Sequence, residues 1–272
     1  MPSSPLSASN PPHSLPQKGR MQATPFEYRF RFWIHASIFV LGFFSPWLLI
    51  AGITDVPGFT TRTTWLVLSA LLARTGLLNF GASTLAILAL GILFAGLGAW
   101  LRTWGSAYVG ASIVQSTSMH GNSLLADGPY RRTRNPLYLG TLLHAIGISI
   151  VMPPSGAIFT IVAIWIFQVR LALAEEPFLA ARFGEPYSAY KSAVPRFLPS
   201  LKPLVPSAEK QPHWLPAILG ESYMIGVFVT LAAFGWSFNA QPLRQGILIS
   251  LGLSLVVRAF LPRATTKSIE AI

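Results

Sequence analysis

The chain of 272 residues is strongly apolar, since 52% of its residues are hydrophobic and only 11% are charged. An ordinary soluble domain carries roughly 25% charged residues, so this composition excludes a typical water-soluble fold. Its 20 lysines and arginines outnumber its 9 acids. They flank apolar stretches instead of forming one stripe, which favours membrane topology over nucleic-acid binding. With no cysteine and 5 scattered histidines, the sequence predicts no metal site.

The apolar stretches predict an all-α, polytopic transmembrane protein with about six to seven membrane helices, because a bilayer core of ~30 Å requires about 20 apolar residues per helix. Residues 1–25 are rich in proline and serine and are predicted to be disordered. The predicted spans are 30–53, 64–78, 83–101, two helices within 137–173, 215–236 and 243–261. Two charged residues near or within the last two spans, Glu221 and Arg258, are expected to form a pair, because an unpaired charge is costly there.

Residues 152–156 interrupt one long apolar stretch with two prolines and a glycine, which predicts a helical hairpin. The polar connections on either side, 102–135 and 174–214, then emerge at the same end and can build one site. Because they carry most of the cations, this end is predicted to face the cytoplasm. A full span at 64–78 would put the basic N-terminal tail on the other side. Either that span is re-entrant or the tail departs from the positive-inside rule.

The first connection contains an unusual motif, DGPYRRTRNPLYLG, at residues 127–140. Pro136 is predicted to be the first residue of a helix, a position that proline favours. The free backbone donors of that helix, together with Arg131, Arg132 and Arg134, are suited to bind a carboxylate or phosphate. The alternative is a cluster of membrane-flanking arginines that only sets topology.

The second connection begins with two adjacent carboxylates, Glu175 and Glu176, which are costly near lipid. A carboxylate can accept hydrogen bonds from both hydroxyls of a ribose. The alternative is a solvated helix end. The segment FGEPYSAY at 183–190 predicts a glycine that ends this helix and a proline that starts a short one. Its tyrosines, Tyr187 and Tyr190, serve either as interfacial anchors or as pocket residues.

Taken in order, the motifs GPY, RNPLYLG, EE, FGEPY and VPRFLP resemble the isoprenylcysteine carboxyl methyltransferase family and its phospholipid methyltransferase relatives. The resemblance covers about residues 83–199. It implies a methyltransferase core at 83–203, preceded by membrane helices at 26–82 and followed by a C-terminal membrane hairpin at 204–272. It also implies that S-adenosyl-L-methionine binds in a pocket facing the cytoplasm and that a lipid-like or prenylated acceptor enters from the bilayer.

The resemblance also implies individual cofactor-binding residues. Glu175 matches the family's cofactor-binding acid, and Arg134 and Glu176 are expected neighbours in the pocket. The other implied cofactor-binding residues are Gln115, Asn122, Ser123, Leu124, Leu125, Tyr130, Asn135, Pro136, Leu137 and Tyr138. At Asn135 many family members have a histidine, but the proline that starts the helix is retained.

A second departure concerns the acceptor. The family's substrate-binding arginine lies four residues before the glutamate, where this chain has Leu171. The nearest arginine, Arg170, is the candidate catalytic residue for orienting an anionic acceptor, and the alternative is a snorkelling arginine at the membrane edge. The main hypothesis is therefore a methyltransferase similar to protein-S-isoprenylcysteine O-methyltransferase. A phospholipid or other lipid N- or O-methyltransferase, which Leu171 favours, a sterol reductase and a non-catalytic membrane scaffold are the alternatives.

Overall fold

The computed structural model describes residues 21–44, 62–109, 127–238 and 240–260, and within these ranges its regular structure is entirely helical. The helices are α1 Pro25–Arg29, α2 Arg31–Phe43, α3 Thr64–Arg74, α4 Phe80–Val109, α5 Pro136–Ser149, α6 Pro154–Phe183, α7 Glu185–Ala193, α8 Trp214–Gly220, α9 Ser222–Ser237 and α10 Ala240–Phe260, with a 3-10 turn at Gly128–Arg131. The predicted all-α class is confirmed.

Two of the described helices, α4 and α6, are long and apolar enough to cross a membrane. The pair α8 and α9 forms a third candidate span, although it is bent by 68° at Glu221, so the continuous helix predicted at 215–236 is wrong. Shorter apolar helices are α2, α3, α5 and most of α10. The chain is therefore a polytopic helical membrane protein, and the larger predicted number of spans stays a prediction.

Helix α4 lies at the centre of the bundle, where it packs against α3, α5, α8 and α9. Small residues allow its backbone to approach α5 closely, as in many membrane helix pairs. A β-carbon on Gly98 would lie 2.5 Å from the backbone nitrogen of His144, and one on Gly147 would overlap the backbone of Ala95. Helix α5 packs in turn on α6, and α6 packs on α2. The α5–α6 pair is the predicted hairpin, which is confirmed.

One end of the bundle is formed by the turn of this hairpin. The backbone nitrogens of Thr64 and Trp65 donate to the carbonyls of Met152 and Ile150 at 2.8 and 2.7 Å. The Trp65 indole donates to the carbonyl of Thr84 at 2.8 Å. Helices α3 and α4 therefore both begin at the hairpin end, and α3 does not carry the chain to the opposite end. This arrangement corresponds to the re-entrant alternative for the segment 64–78.

The N-terminal segment lies at the other end, which we call the site end, because it contacts the C-terminal half of α6. The backbone nitrogen of Ala23 donates to the carbonyl of Arg170 at 3.0 Å. Helix α2 then runs antiparallel to α6, with His35 beside Gln168 at 2.9 Å. The described part of the basic tail is therefore at the same end as the polar connections, and its conflict with the positive-inside rule disappears.

The signals that start and stop helices are confirmed, with one correction. Pro136 is the first residue of α5, and α7 follows Gly184, whose φ of +58° ends α6. Helix α6, however, continues past Pro177 to Phe183. The interpretation of the two glutamates as a helix end is therefore wrong, since they lie inside a helix that tolerates the loss of one backbone donor at the proline.

Candidate functional site

The two polar connections meet at the site end, where the segment 128–135 pairs with the segment 194–205. The backbone nitrogen of Arg134 donates to Pro195 at 2.8 Å, that of Ser200 to Arg132 at 3.0 Å, and that of Leu204 to Arg131 at 2.8 Å. The prediction that both connections contribute to one site is confirmed as geometry.

The three arginines of the RRTRNP motif bind acceptors within the protein. The guanidinium of Arg131 donates to the carbonyl of Val205 at 2.8 Å, and that of Arg132 donates to the carbonyl of Leu201. Arg134 donates to the carbonyl of Val194 at 2.9 Å. These side chains therefore hold the segment 194–205 in place, a role that the sequence motif does not disclose.

Glu176 joins these segments to α6. Its carboxylate accepts from Arg134 at 2.8 Å, from Arg196 at 2.7 and 3.0 Å, and lies 3.4 Å from the Lys191 ammonium. Only 7% of the residue is exposed. Charge-assisted hydrogen bonds of this kind are among the strongest in proteins. Arg134 and Glu176 are thus neighbours as expected, but both oxygens of Glu176 are already engaged, and its cofactor-binding role stays a prediction.

Glu175, the next residue, is arranged differently. One of its oxygens, Oε1, accepts from the hydroxyls of both Tyr28 and Tyr138, at 2.8 and 2.5 Å. The other oxygen, Oε2, has no hydrogen-bond donor among the described residues, and the side chain is only partly buried. A carboxylate oxygen has two lone pairs. Oε2 can therefore accept hydroxyl groups of a ligand.

The tyrosines remain donors at neutral pH where the structure permits an assignment. Burial and the nearby Glu175 charge raise the pKa of Tyr28 above its ordinary value. Its hydroxyl therefore stays protonated and can donate continuously to the carboxylate.

The other residues implied by the resemblance fall into two groups. Tyr130, Asn135, Pro136 and Leu137 line the start of α5 and the turn before it; the Asn135 amide donates to the Arg196 carbonyl at 3.0 Å. Those outside the described residues are Gln115, Asn122, Ser123, Leu124 and Leu125. No finding tests these binding roles, which stay predictions.

Both tyrosines of the FGEPYSAY segment are buried and pack with Val194 in one hydrophobic cluster. The hydroxyl of Tyr190 donates to the carbonyl of Tyr130 at 2.9 Å. They therefore support the turn before α5, and the two roles considered from the sequence, interfacial anchor and pocket residue, are both replaced by a packing role.

Arg170 is paired with the N-terminal segment. It donates to the two carboxylate oxygens of Glu27 at 3.1 and 2.8 Å and to the carbonyl of Gln22 at 3.1 Å. The hydrogen-bonded Arg170 guanidinium holds the pKa of Glu27 down at about 2. The neighbouring Leu171 is fully buried against Ala23 and Tyr28. The snorkelling interpretation is wrong, and a role in orienting the acceptor stays a prediction.

The sequence interpretation missed Tyr28, which lies outside the predicted core. A lone tyrosine beside an apolar stretch carries no motif, but a readable signal does precede it. Thr24 and Glu27 form a capping box, in which the Thr24 hydroxyl accepts from the Glu27 nitrogen at 3.1 Å and the Glu27 carboxylate accepts from the Thr24 nitrogen at 2.5 Å.

A second polar cluster connects the core to the C-terminal helices. At the bend between α8 and α9, Glu221 accepts from the Arg102 guanidinium at 2.7 and 2.9 Å. Arg102 also donates to the Thr141 hydroxyl at 2.7 Å and the Leu137 carbonyl at 3.3 Å. The expected partner of Glu221 was Arg258, whose side chain lies outside the described part. The expectation is wrong because both carboxylate oxygens bind Arg102.

Comparison with known proteins identifies relatives of the central segment. Residues 86–186 match the phospholipid methyltransferase family. The protein-S-isoprenylcysteine O-methyltransferase of Schizosaccharomyces pombe is 32% identical over 138 residues, 49% of this chain and 57% of the relative. That of Mus musculus is 31% identical over 119 residues, 42% of each chain. The cobalt-zinc-cadmium resistance protein CzcN of Cupriavidus metallidurans is 31% identical over 117 residues, 42% of this chain and 50% of the relative.

No solved structure matches this chain. The chain spans about half the length of these curated relatives, with coverage of 57%, 42% and 50%. The matched segment begins within α4 and ends within α7, so it includes Glu175, Glu176 and the RRTRNP motif. The resemblance stated from the motifs is confirmed, and this central segment belongs to the family of phospholipid and isoprenylcysteine methyltransferases.

Proposed function

We propose that this chain is an integral membrane methyltransferase that uses S-adenosyl-L-methionine to methylate a lipid-like acceptor. The observation that carries the proposal is Glu175, which lies within the family segment and presents Oε2 without a donor among the described residues. Such an oxygen suits the ribose hydroxyls of the donor. The first turn of α5, with Tyr138 on Glu175, supplies backbone donors for a carboxylate nearby.

The donor would supply an electrophilic methyl group on a positively charged sulfur. The acceptor's lone pair forms the new bond to that methyl carbon while the carbon–sulfur bond breaks and its electrons return to sulfur. The residues at the site end need only bind, align and exclude water, and well-oriented positioning contributes roughly 7–11 kcal/mol to such reactions. Glu175 then serves as a binding residue, and no general base is required when the acceptor is an anionic carboxylate.

Two acceptor classes remain open to the same site. Relatives named protein-S-isoprenylcysteine O-methyltransferase favour a prenylated carboxylate. A phospholipid or other lipid amine is favoured by a local observation: the position of the family's substrate-binding arginine holds the buried Leu171, and Arg170 is paired with Glu27. An amine acceptor would have to lose a proton before attack.

Methyl transfer by the full chain in lipid vesicles tests the proposal. Vesicles receive donor labelled in its methyl group together with either a prenylcysteine or an amine-containing phospholipid. Label in a lipid extract is expected with one acceptor, and release of the label by base distinguishes a methyl ester from an N-methyl product. No transfer to either acceptor, by protein that retains its fold, would contradict the proposal.

Replacing Glu175 by alanine should weaken donor binding about 10- to 100-fold, because hydrogen bonds to a charged group contribute roughly 1.5–3 kcal/mol. The KM of the acceptor should change less. Glu185→Ala, at an exposed position one helix further on, is the matched control and should leave both values unchanged. Equal donor affinity in wild type and Glu175→Ala would refute the assignment of this carboxylate to the donor.

We propose that the site end faces the cytoplasm, on the basis of its cations and the positive-inside rule. The native chain has no cysteine, so single cysteines report topology directly. Leu201→Cys, at a site-end position that is 93% exposed, should react with a membrane-impermeant maleimide only from the cytoplasmic side. Leu77→Cys, 79% exposed between α3 and α4, should react only from the other side. The reverse pattern would contradict this orientation.

A further inference from the structure

Tyr28 lies far outside the family segment, yet its hydroxyl donates to the same Glu175 oxygen as that of Tyr138. We propose that Tyr28 is a positioning residue for the methyl-donor site and that the N-terminal segment 22–31 is a wall of that site. The inference rests on the proposed function, since it concerns how Glu175 meets the donor. It adds a residue of this chain's own N-terminal segment to a site otherwise built by the family core.

The N-terminal segment is fastened to α6 by contacts that hold Tyr28 in place. On the side preceding it, Glu27 forms a two-point ion pair with Arg170, and Ala23 donates to the Arg170 carbonyl. On the side following it, the Arg31 guanidinium lies 4.5 Å from the centre of the Tyr28 ring, a cation–π distance. Tyr28 therefore reaches Glu175 from a fixed base.

Apolar packing reinforces this fastening. Ala23 and Tyr28 form one buried cluster with Phe167 and Leu171 of α6. Leu171 occupies the position where the family resemblance implies an arginine, and its burial contributes to the seat of the N-terminal segment. The departure at this position and the wall formed by residues 22–31 are thus parts of the same arrangement.

The two tyrosines restrict the rotation of the Glu175 carboxylate. The terminal torsion of a glutamate is broad and roughly two-fold, so an unrestrained carboxylate exchanges its two oxygens. Two donors from different helices converge on Oε1 and select one orientation, which leaves Oε2 for the ligand. With Tyr28 removed, Tyr138 alone defines the orientation, and part of this preorganisation is lost.

Equilibrium binding of S-adenosylmethionine and S-adenosylhomocysteine to the full detergent-solubilised chain tests this inference. Tyr28→Phe removes only the hydroxyl and should weaken binding of both compounds about tenfold. The KM of the donor should rise correspondingly, whereas the KM of the acceptor should not. Tyr223→Phe is the matched control, because Tyr223 packs with residues at the hairpin end, among them Ile148 and Met152, and it should bind like wild type.

A second variant separates positioning from general loosening. Glu27→Gln weakens the fastening and should reduce donor affinity about threefold in the wild-type background, by the weakening of one charged pair. In the Tyr28→Phe background it should have no further effect, because the contact through which it acts is gone.

Three results would each overturn the positioning role while leaving the proposed function intact. They are an affinity of Tyr28→Phe within twofold of wild type, equal losses in Tyr28→Phe and Tyr223→Phe, and an undiminished effect of Glu27→Gln in the Tyr28→Phe background. Absence of binding by folded wild-type protein would instead overturn the proposed function, and the positioning role of Tyr28 with it.

Discussion

Replacing Glu176 by alanine is expected to destabilise the protein by about 3–5 kcal/mol, the usual cost of removing one partner from a buried ion pair. The loss would leave Arg134, Arg196 and Lys191 facing one another without their shared carboxylate. Because Arg134 and Arg196 belong to the two paired segments, their repulsion should also detach residues 194–205 from the start of α5. The measurement is the denaturant or heat required to unfold the protein in detergent.

Two further variants make this result specific. Glu176→Gln keeps the size and one acceptor and should lose less stability than Glu176→Ala. Glu185→Ala removes an exposed carboxylate from the following helix and should change stability by less than about 0.5 kcal/mol. If Glu176→Ala unfolds at the same denaturant concentration as Glu185→Ala, the carboxylate does not hold these segments together.

Glu221→Ala is expected to have a similarly large effect, about 3–5 kcal/mol, at the bend between α8 and α9. It would leave the Arg102 guanidinium, whose side chain is only 17% exposed, without its two-point partner. Charges within a membrane bundle are costly when unpaired. The result is checked by unfolding in detergent and by the amount of folded protein recovered from membranes.

A double replacement distinguishes loss of a partner from loss of a helix contact. Arg102→Leu together with Glu221→Leu removes both charges and should recover most of the stability lost in Glu221→Ala, since apolar residues often replace a buried pair without cost. A double variant as unstable as Glu221→Ala would show that the bend needs the carboxylate itself, which would contradict the explanation by an unpaired Arg102 charge.

Local signals allowed part of the fold to be predicted from the sequence. Pro136 starts α5 because the first helical position needs no backbone donor, and Gly184 ends α6 because it adopts a positive φ. The hairpin turn follows from two adjacent prolines in an apolar stretch. In each case the residue itself restricts the backbone, so no knowledge of its neighbours is needed.

Features that depend on distant contacts could not be predicted in the same way. Glu221 lies 119 positions from Arg102, and Tyr28 lies 147 positions from Glu175. No spacing rule connects such residues, and the pairing was therefore assigned wrongly for Glu221 and missed for Tyr28. The continuation of α6 past Pro177 has the same origin, because packing of the helix against its neighbours outweighs one lost hydrogen bond.

The candidate site was predicted in its components but not in its arrangement. The family resemblance selected Glu175, Glu176 and Arg134 as neighbours, and they do lie together. The distinction between the two glutamates required the structure: Glu176 binds cations that join segments, whereas Glu175 receives two hydroxyls on one oxygen. Adjacent residues on a helix point about 100° apart, so identical side chains there meet different surroundings.

Whether the site end binds a methyl donor is decided by calorimetric titration of the purified full chain with S-adenosylmethionine, with Glu175→Ala, Glu185→Ala and competing NADPH as comparisons. We expect saturable binding to wild type and Glu185→Ala, binding about 10- to 100-fold weaker in Glu175→Ala, and no competition by NADPH. Absence of binding by folded wild-type protein, or displacement of the ligand by NADPH, would contradict a methyltransferase site and favour a scaffold or a reductase.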